Sequence, residues 1–253
     1  MTAKGKVLVL VSSGHGLPLK DGKVYAGAGY YLNELTVPVR ALMKEGYEIT
    51  FANPKGNTPQ MDVHSAVADF FGGDEARLQD YLKFRDTLTG LKNPTRISDV
   101  IASGLDRYDA VFVPGGHGPM MDLLDDPDAG TVMRHFHKTS KPTAVLCHGP
   151  ISLLSALPNS TEVVQALAAG DAIGAREKAQ GWIYSGYKIT IFSTALRYIV
   201  NCWELNLRYS LSSCLTVGYG QRLRLRRLAA RLSPRYQPIL LSQHRFQASS
   251  GDN

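Results

Sequence analysis

Residues 142–150 read PTAVLCHGP, and the parsing of this stretch decides the fold. Residues 142–146 are apolar but too few for a helix, and Cys147-His148-Gly149-Pro150 stops them at once. A short apolar run ended in this way suits a strand buried on both faces of a parallel sheet. Beyond it, GPISLLSAL (149–157) has the spacing of a short helix, which puts Cys147 at a sharp strand-to-helix turn.

The same grammar recurs outward along the chain. Residues 108–113 (YDAVFV) end in Pro-Gly-Gly-His-Gly, residues 6–12 (KVLVLVS) run into Ser-Gly-His, and residues 47–52 (YEITFA) run into NPKGNTP, a segment dense in turn formers. Residues 187–193 (YKITIFS) read as one more strand. Between the first two strands in chain order, residues 29–46 place Tyr31, Leu35, Val39, Leu42 and Met43 at helical spacing, with Gly46 as the stop and Pro38 expected to kink the helix or begin its main segment. A further helix is predicted over 127–139. Strands alternating with helices predict an α/β fold: a doubly wound, mostly parallel sheet with helices on both faces. Residues 62–104 are polar and helical in pattern and read as an inserted, cap-like region of a domain spanning 1–195. No internal repeat is found.

At 253 residues the chain can hide roughly 70–75% of its unfolded surface, enough for one large core. Apolar content of 44% and charged content of 20% exclude general disorder and fibrous repeats. No stretch approaches the roughly 20 apolar residues of a spanning helix. The N-terminal apolar run reads as a strand rather than a leader. Three cysteines, Cys147, Cys202 and Cys214, are too few for a disulfide framework. A cytoplasmic location is therefore expected. The net charge of +6 is uneven: residues 1–194 carry 19 basic and 20 acidic side chains, and residues 195–253 carry 9 and 2.

In an open parallel sheet, ligands bind beyond the carboxyl ends of the strands. Cys147 is expected there, near the unpaired N–H groups of the following helix, a setting that favours the thiolate. The plain alternative is a buried cysteine acting as a small hydrophobe. Gly115 and Gly116 let backbone amides approach a ligand, so the Gly116 and His148 amides are candidate oxyanion donors, against the reading of a simple tight turn. Glu34, near the start of the first helix, would be desolvated beside a thiol and so held neutral and able to donate to a thiolate; otherwise it is a solvated helix residue. His15, His64 and His117 are placed to line the crevice without spacing that demands a metal. His135 and His137, two apart on a helix, point to different faces and share no metal.

Four segments, GYYLNEL (29–35), PQMDVHS (59–65), FVPGGHG (112–118) and AVLCHGP (144–150), resemble the ThiJ/PfpI superfamily, specifically its glyoxalase III and heat-shock chaperone branch. The resemblance covers about residues 5–193. It implies a flavodoxin-like fold, a homodimer, Cys147 as nucleophile on an elbow, Glu34 beside the sulfur, and His148 as its neighbour in a triad. Gly115, Gly116 and His117 would line the substrate position. It further implies conversion of methylglyoxal to lactate without glutathione, metal or organic cofactor, with deglycation and holdase chaperoning as alternatives. Amidotransferase or peptidase chemistry is a weaker reading. The implied partner is a small reactive dicarbonyl.

The resemblance stops where composition shifts. The family's strand at this point is followed by an acidic pair that supplies the triad's carboxylate; here Leu196-Arg197 follows, and the later family segments have no counterpart. Basic residues change from 12 Lys and 7 Arg before Ala195 to 9 Arg and no Lys after it, a run that chance gives about once in ten thousand draws. A reading-frame change near Thr194 accounts for both facts, and an alternative frame from that codon is expected to restore the acidic pair. On this reading the enzyme is weakened or inactive. Residues 196–253 otherwise read as a poorly packed basic tail, or, at 221–232 (QRLRLRRLAARL), as an amphipathic helix with Leu225, Leu228 and Leu232 on one stripe. No nucleic-acid or membrane partner is expected beyond weak electrostatic binding by this tail.

Overall fold

The computed structural model describes residues 3–19, 22–187, 189 and 191. In chain order it runs β1 (Gly5–Leu10), β2 (Leu17–Pro18), β3 (Val24–Tyr25), α1 (Leu32–Lys44), β4 (Tyr47–Asn53), α2 (Glu75–Thr87), α3 (Thr89–Lys92), β5 (Thr95–Arg96), α4 (Ile97–Ala102), β6 (Ala110–Val113), α5 (Pro127–Lys138), β7 (Thr143–Val145), α6 (Ser160–Ala168) and α7 (Ala172–Lys178). Five strands form one sheet in the order β5-β4-β1-β6-β7, and every neighbouring pair is parallel. β2 and β3 form a separate small antiparallel pair.

The sheet is doubly wound because the chain moves outward from β1 to β4 and then returns past β1 to β6. That reversal opens a crevice at the carboxyl ends of β1 and β6, where α/β folds of this kind bind ligands. Successive strand side chains point to opposite faces, and both faces are packed. Leu8 and Leu10 of β1, with Val111 and Val113 of β6, join Ile97, Val100, Val132, Met133 and Phe136 in one core. Val7 and Val9, with Phe112, join Leu35, Val39, Leu88 and Leu91 in the other. Each fully buried leucine contributes roughly 1.5–3 kcal/mol relative to exposure. The apolar runs without polar alternation in the sequence are thus explained by a sheet covered on both sides.

α1 runs unbroken through Pro38, and Tyr31 precedes it in an extended conformation instead of forming its first turn. Gly46 ends the connection to β4 with φ +86°. Met43, read from the sequence as part of the apolar stripe, is exposed, while Leu42 packs against the core. One helical face has room for only one of two adjacent residues. α5 begins as its sequence implies: Asp126 accepts from the Ala129 amide at 2.7 Å, and Pro127 occupies the first turn.

Within residues 62–104, α2 lies beside α1, where Leu78 and Tyr81 join Leu32 and Phe71 in a small cluster. β5 extends the sheet, and α4 contributes to its core. Of the strand expected over 187–193, residues 188, 190, 192 and 193 lie outside the described residues, as do the expected tail, its basic helix, Leu196-Arg197, Cys202 and Cys214. Tyr187 and Ile189 pack against the core formed by α4 and α5. Among the described residues no helix is long and apolar enough to cross a membrane.

Candidate active site

Cys147 follows β7 with φ +52°, a left-handed conformation that a non-glycine residue adopts only under constraint. The helical turn Gly149–Ala156 follows at once. Gly149 sits so close to the Val113 carbonyl that no Cβ fits there without displacement. The predicted strand-to-helix elbow is therefore present, with the thiol partly exposed. Cys147 Sγ lies 3.4 Å from His148 Nδ1.

Glu34 reaches the thiol from the first turn of α1. The approach depends on Gly115, where an added Cβ would overlap both Glu34 Oε2 and the Cβ of Cys147. Gly116 has φ +82°, and a Cβ there would overlap the Gly29 carbonyl and the Tyr31 amide. The Gly-Gly pair is thus required by close approach as well as by conformation. Two backbone hydrogen bonds, from Tyr31 to the Gly115 carbonyl at 3.4 Å and from Gly118 to the Gly29 carbonyl at 3.0 Å, fix the start of α1 over the strand ends.

Glu34 keeps some surface exposed, but its Oε2 is covered. Burial pushes its pKa up to about 7, opposed by a hydrogen bond with Cys147, by the backbone of Gly115 and Gly116, and by nearby His117. A carboxyl in this state is poised between acid and base at neutral pH. Burial, followed by the proximity of His117, lowers the pKa of His148 to about 4, while the Gly116 backbone and Asp62 act in the opposite direction. His148 is consequently neutral at pH 7.

His117 is buried, and its Nδ1 meets Asp62 Oδ2 at 2.5 Å. Its ring lies 5.4 Å from that of His148, and the rings of Tyr25 and Tyr31 present edges to it at 5.9 and 6.1 Å. The Tyr31 hydroxyl is pushed up to about 12 by burial and then by Asp62, Cys147, Glu34 and Tyr25, so this tyrosine faces the whole constellation. Phe70 packs against Tyr31 at 5.5 Å.

The structure therefore brings Cys147, His148, Glu34, Gly115, Gly116 and His117 together. The other described histidines make contacts of their own, and His64 borders the site through Tyr25 and Asp62. His15 Nε2 meets the Thr58 carbonyl at 2.9 Å, His64 stacks on Tyr25, His135 approaches Asp106, and His137 meets the Tyr187 hydroxyl at 3.1 Å. Ser12 and Ser13 lock the end of β1: Ser13 donates twice to Asp122 Oδ2, and the Ser12 hydroxyl accepts from Gly14. Among the described residues no group of three or more His, Cys, Asp or Glu is arranged to hold a metal.

Sequence reading missed Asp62, Tyr25 and Tyr31 as site residues. Asp62 stands in PQMDVHS, where Asp followed two residues later by His marks a capped turn: its side chain accepts from the His64 amide at 3.0 Å. That local signal predicts a turn, not the partner across the site.

The family model described as "ThiJ/PfpI family-like" matches residues 25–193, more than half of the chain. A protein/nucleic acid deglycase HchA of Staphylococcus aureus (strain MRSA252) is 28% identical over 156 residues, which are 60% of this chain and 51% of that protein. The chain spans about half the length of the curated relatives it matches. A solved crystallographic structure carrying only a target designation is 24% identical, covers 78% of this chain and 72% of its own, and superposes with a TM-score of 0.54, a likeness of fold. The crystal structure of glyoxalase III from Candida albicans is 28% identical over 59% of each chain, with a TM-score of 0.46.

Proposed function

The chain belongs to the ThiJ/PfpI-like family, and from that premise we propose that it converts methylglyoxal to lactate without glutathione, through a hemithioacetal on Cys147. The observation that carries this reading is the approach of Glu34, with its pKa near 7, to a thiol held on a positive-φ elbow. A protonated Glu34 donates to the sulfur and favours its thiolate. The thiolate then adds to the aldehyde carbon. The amides of Gly116 and His148 receive the developing oxyanion, Gly116 turning from Glu34 to the substrate.

A base of the site must next move the hydrogen of the former aldehyde carbon to the adjacent carbonyl carbon, giving a thioester of lactate that water releases. One carbon is oxidised and its neighbour reduced, so the substrate supplies both halves of the redox change. The test is lactate formation by the purified chain in the absence of glutathione. Cys147→Ala and Glu34→Gln are each expected to lower turnover by about 1,000-fold or more, as removal of a nucleophile or its activator does. Equal turnover by the wild type and Cys147→Ala refutes the proposal.

A second reading has its own observation. Val63, Val67 and Phe70 are exposed, at 57%, 42% and 43%, with the Phe70 ring edge-on to Tyr31 at the site. An apolar rim of this kind suits a carbonyl carried on a larger molecule, in keeping with the deglycase among the relatives. Release of a peptide amine from its methylglyoxal adduct, faster than spontaneous reversal and dependent on Cys147, tests it.

A further inference from the structure

Asp62 and His117 take no part in the addition step, yet they lie fully inside the protein, 0% and 2% exposed, and are joined through Oδ2 and Nδ1. Asp62 is fixed from several directions. Its amide donates to the Tyr30 carbonyl at 2.8 Å, its Oδ1 accepts from the His64 amide at 3.0 Å, and its carbonyl accepts from the Ser65 hydroxyl at 2.6 Å. Ser65 Oγ accepts from the Leu32 amide at 2.9 Å, in the helical turn that carries Glu34. The pair is thus built into the same framework as the thiol's acid.

A carboxylate at Nδ1 holds the imidazole proton there and leaves the lone pair on Nε2. In His117 that Nε2 is buried and has no hydrogen-bond partner among the described residues. A buried polar atom left in this state calls for a reason, because its lost hydration is not replaced. The His117 ring lies 5.4 Å from the His148 ring, whose Nδ1 lies 3.4 Å from Cys147 Sγ. Tyr31 is perturbed by Asp62 and Cys147 together, so pair and sulfur share one site.

Resting on the reading of Cys147 as nucleophile, we infer that Asp62 and His117 form the acid–base dyad that carries the proton between the two substrate carbons, with His117 Nε2 as its acceptor. In the hemithioacetal, Nε2 takes the proton of the carbon bonded to sulfur. The released electron pair forms a carbon–carbon double bond, and the neighbouring carbonyl becomes an enolate. The imidazolium, balanced by Asp62, returns the proton to that second carbon, and the hydroxyl proton passes from the first oxygen to the second. The product is the lactate thioester of Cys147, and His117 ends neutral. This arrangement divides the labour: Glu34 manages the sulfur, and the dyad manages carbon.

The experiment compares the full chain with His117→Gln and Asp62→Asn, measuring lactate from methylglyoxal and the rate of Cys147 alkylation by iodoacetamide. Both variants are expected to lose about 100-fold or more in kcat, the usual scale of general acid–base catalysis, with KM changed by less than about threefold. Alkylation is expected to stay within about twofold, because sulfur activation rests on Glu34. Variants that keep wild-type kcat overturn the dyad and leave the Cys147 reading intact. Loss of alkylation together with turnover also overturns it, since both residues then act on the fold. A wild-type chain that makes no lactate overturns both readings.

Discussion

His117 and His148 each follow a strand of the same sheet, and their rings stand 5.4 Å apart, yet their surroundings are opposite in kind. His148 lies against the thiol at the elbow after β7, and burial and His117 hold its pKa near 4. His117 follows the Gly-Gly turn after β6 and carries a buried carboxylate on Nδ1. A carboxylate on one ring nitrogen fixes the tautomer and leaves the other nitrogen as the acceptor. Adjacency to the nucleophile therefore does not identify the base; the partner on the far nitrogen does.

The largest test of this contrast is Gly115→Ala. The added methyl overlaps Glu34 and Cys147 first, and then the Leu146 carbonyl. Turnover is expected to fall by about 100-fold, the effect of misplacing reacting groups by about an ångström, with about 1–3 kcal/mol of lost stability from overpacking. Kinetics and denaturant melts measure both. If turnover survives, the contact between Glu34 and the thiol does not matter, and the division of labour between the two sides collapses.

Stability against pH sharpens the comparison next. The folded pKa of Glu34 is raised from 4.5 to about 7, so its contribution is fully present below about 4.5 and is lost as pH rises toward 7. The folded pKa of His148 is lowered from 6.5 to about 4, so its contribution is present above 6.5 and is lost as pH falls toward 4. The two dependences oppose each other between about pH 4.5 and 6.5, and the wild type should be nearly flat there. Glu34→Gln removes one of them. It is expected to be more stable than wild type at pH 8 by up to about 3 kcal/mol and equal to it at pH 4. Equal stability at pH 8, measured by chemical denaturation, would contradict the burial of an ionised Glu34.

The fold was legible in the sequence because its determinants are local. The apolar runs at 6–12, 108–113 and 142–146 are too short for helices, and both faces of the sheet are packed, so no polar alternation obscures them. The elbow was legible for the same reason: Cys147, His148 and Gly149 are consecutive. Asp62 was not, because its role depends on His117, 55 residues away, and nothing in a turn-forming Asp-Val-His-Ser announces which side chain it faces. The failure at Met43 is the converse case, where a local pattern offered two candidates and packing accepted one.

The smallest expected effect is at the rim. Phe70→Ala removes the ring on Tyr31 and is expected to raise KM for a peptide-borne carbonyl by a few-fold, roughly the 1 kcal/mol of an aromatic pair, while leaving KM for methylglyoxal unchanged. Unchanged KM for both substrates removes the argument for a larger substrate.

The central claim is covalent addition at Cys147, and the most direct measurement is the intact mass of the chain quenched in acid during turnover, followed by peptide mapping. The account predicts one added methylglyoxal mass on the peptide containing Cys147, absent from Cys147→Ala. Lactate formed with no adduct on that peptide, or an equal adduct in Cys147→Ala, would contradict it.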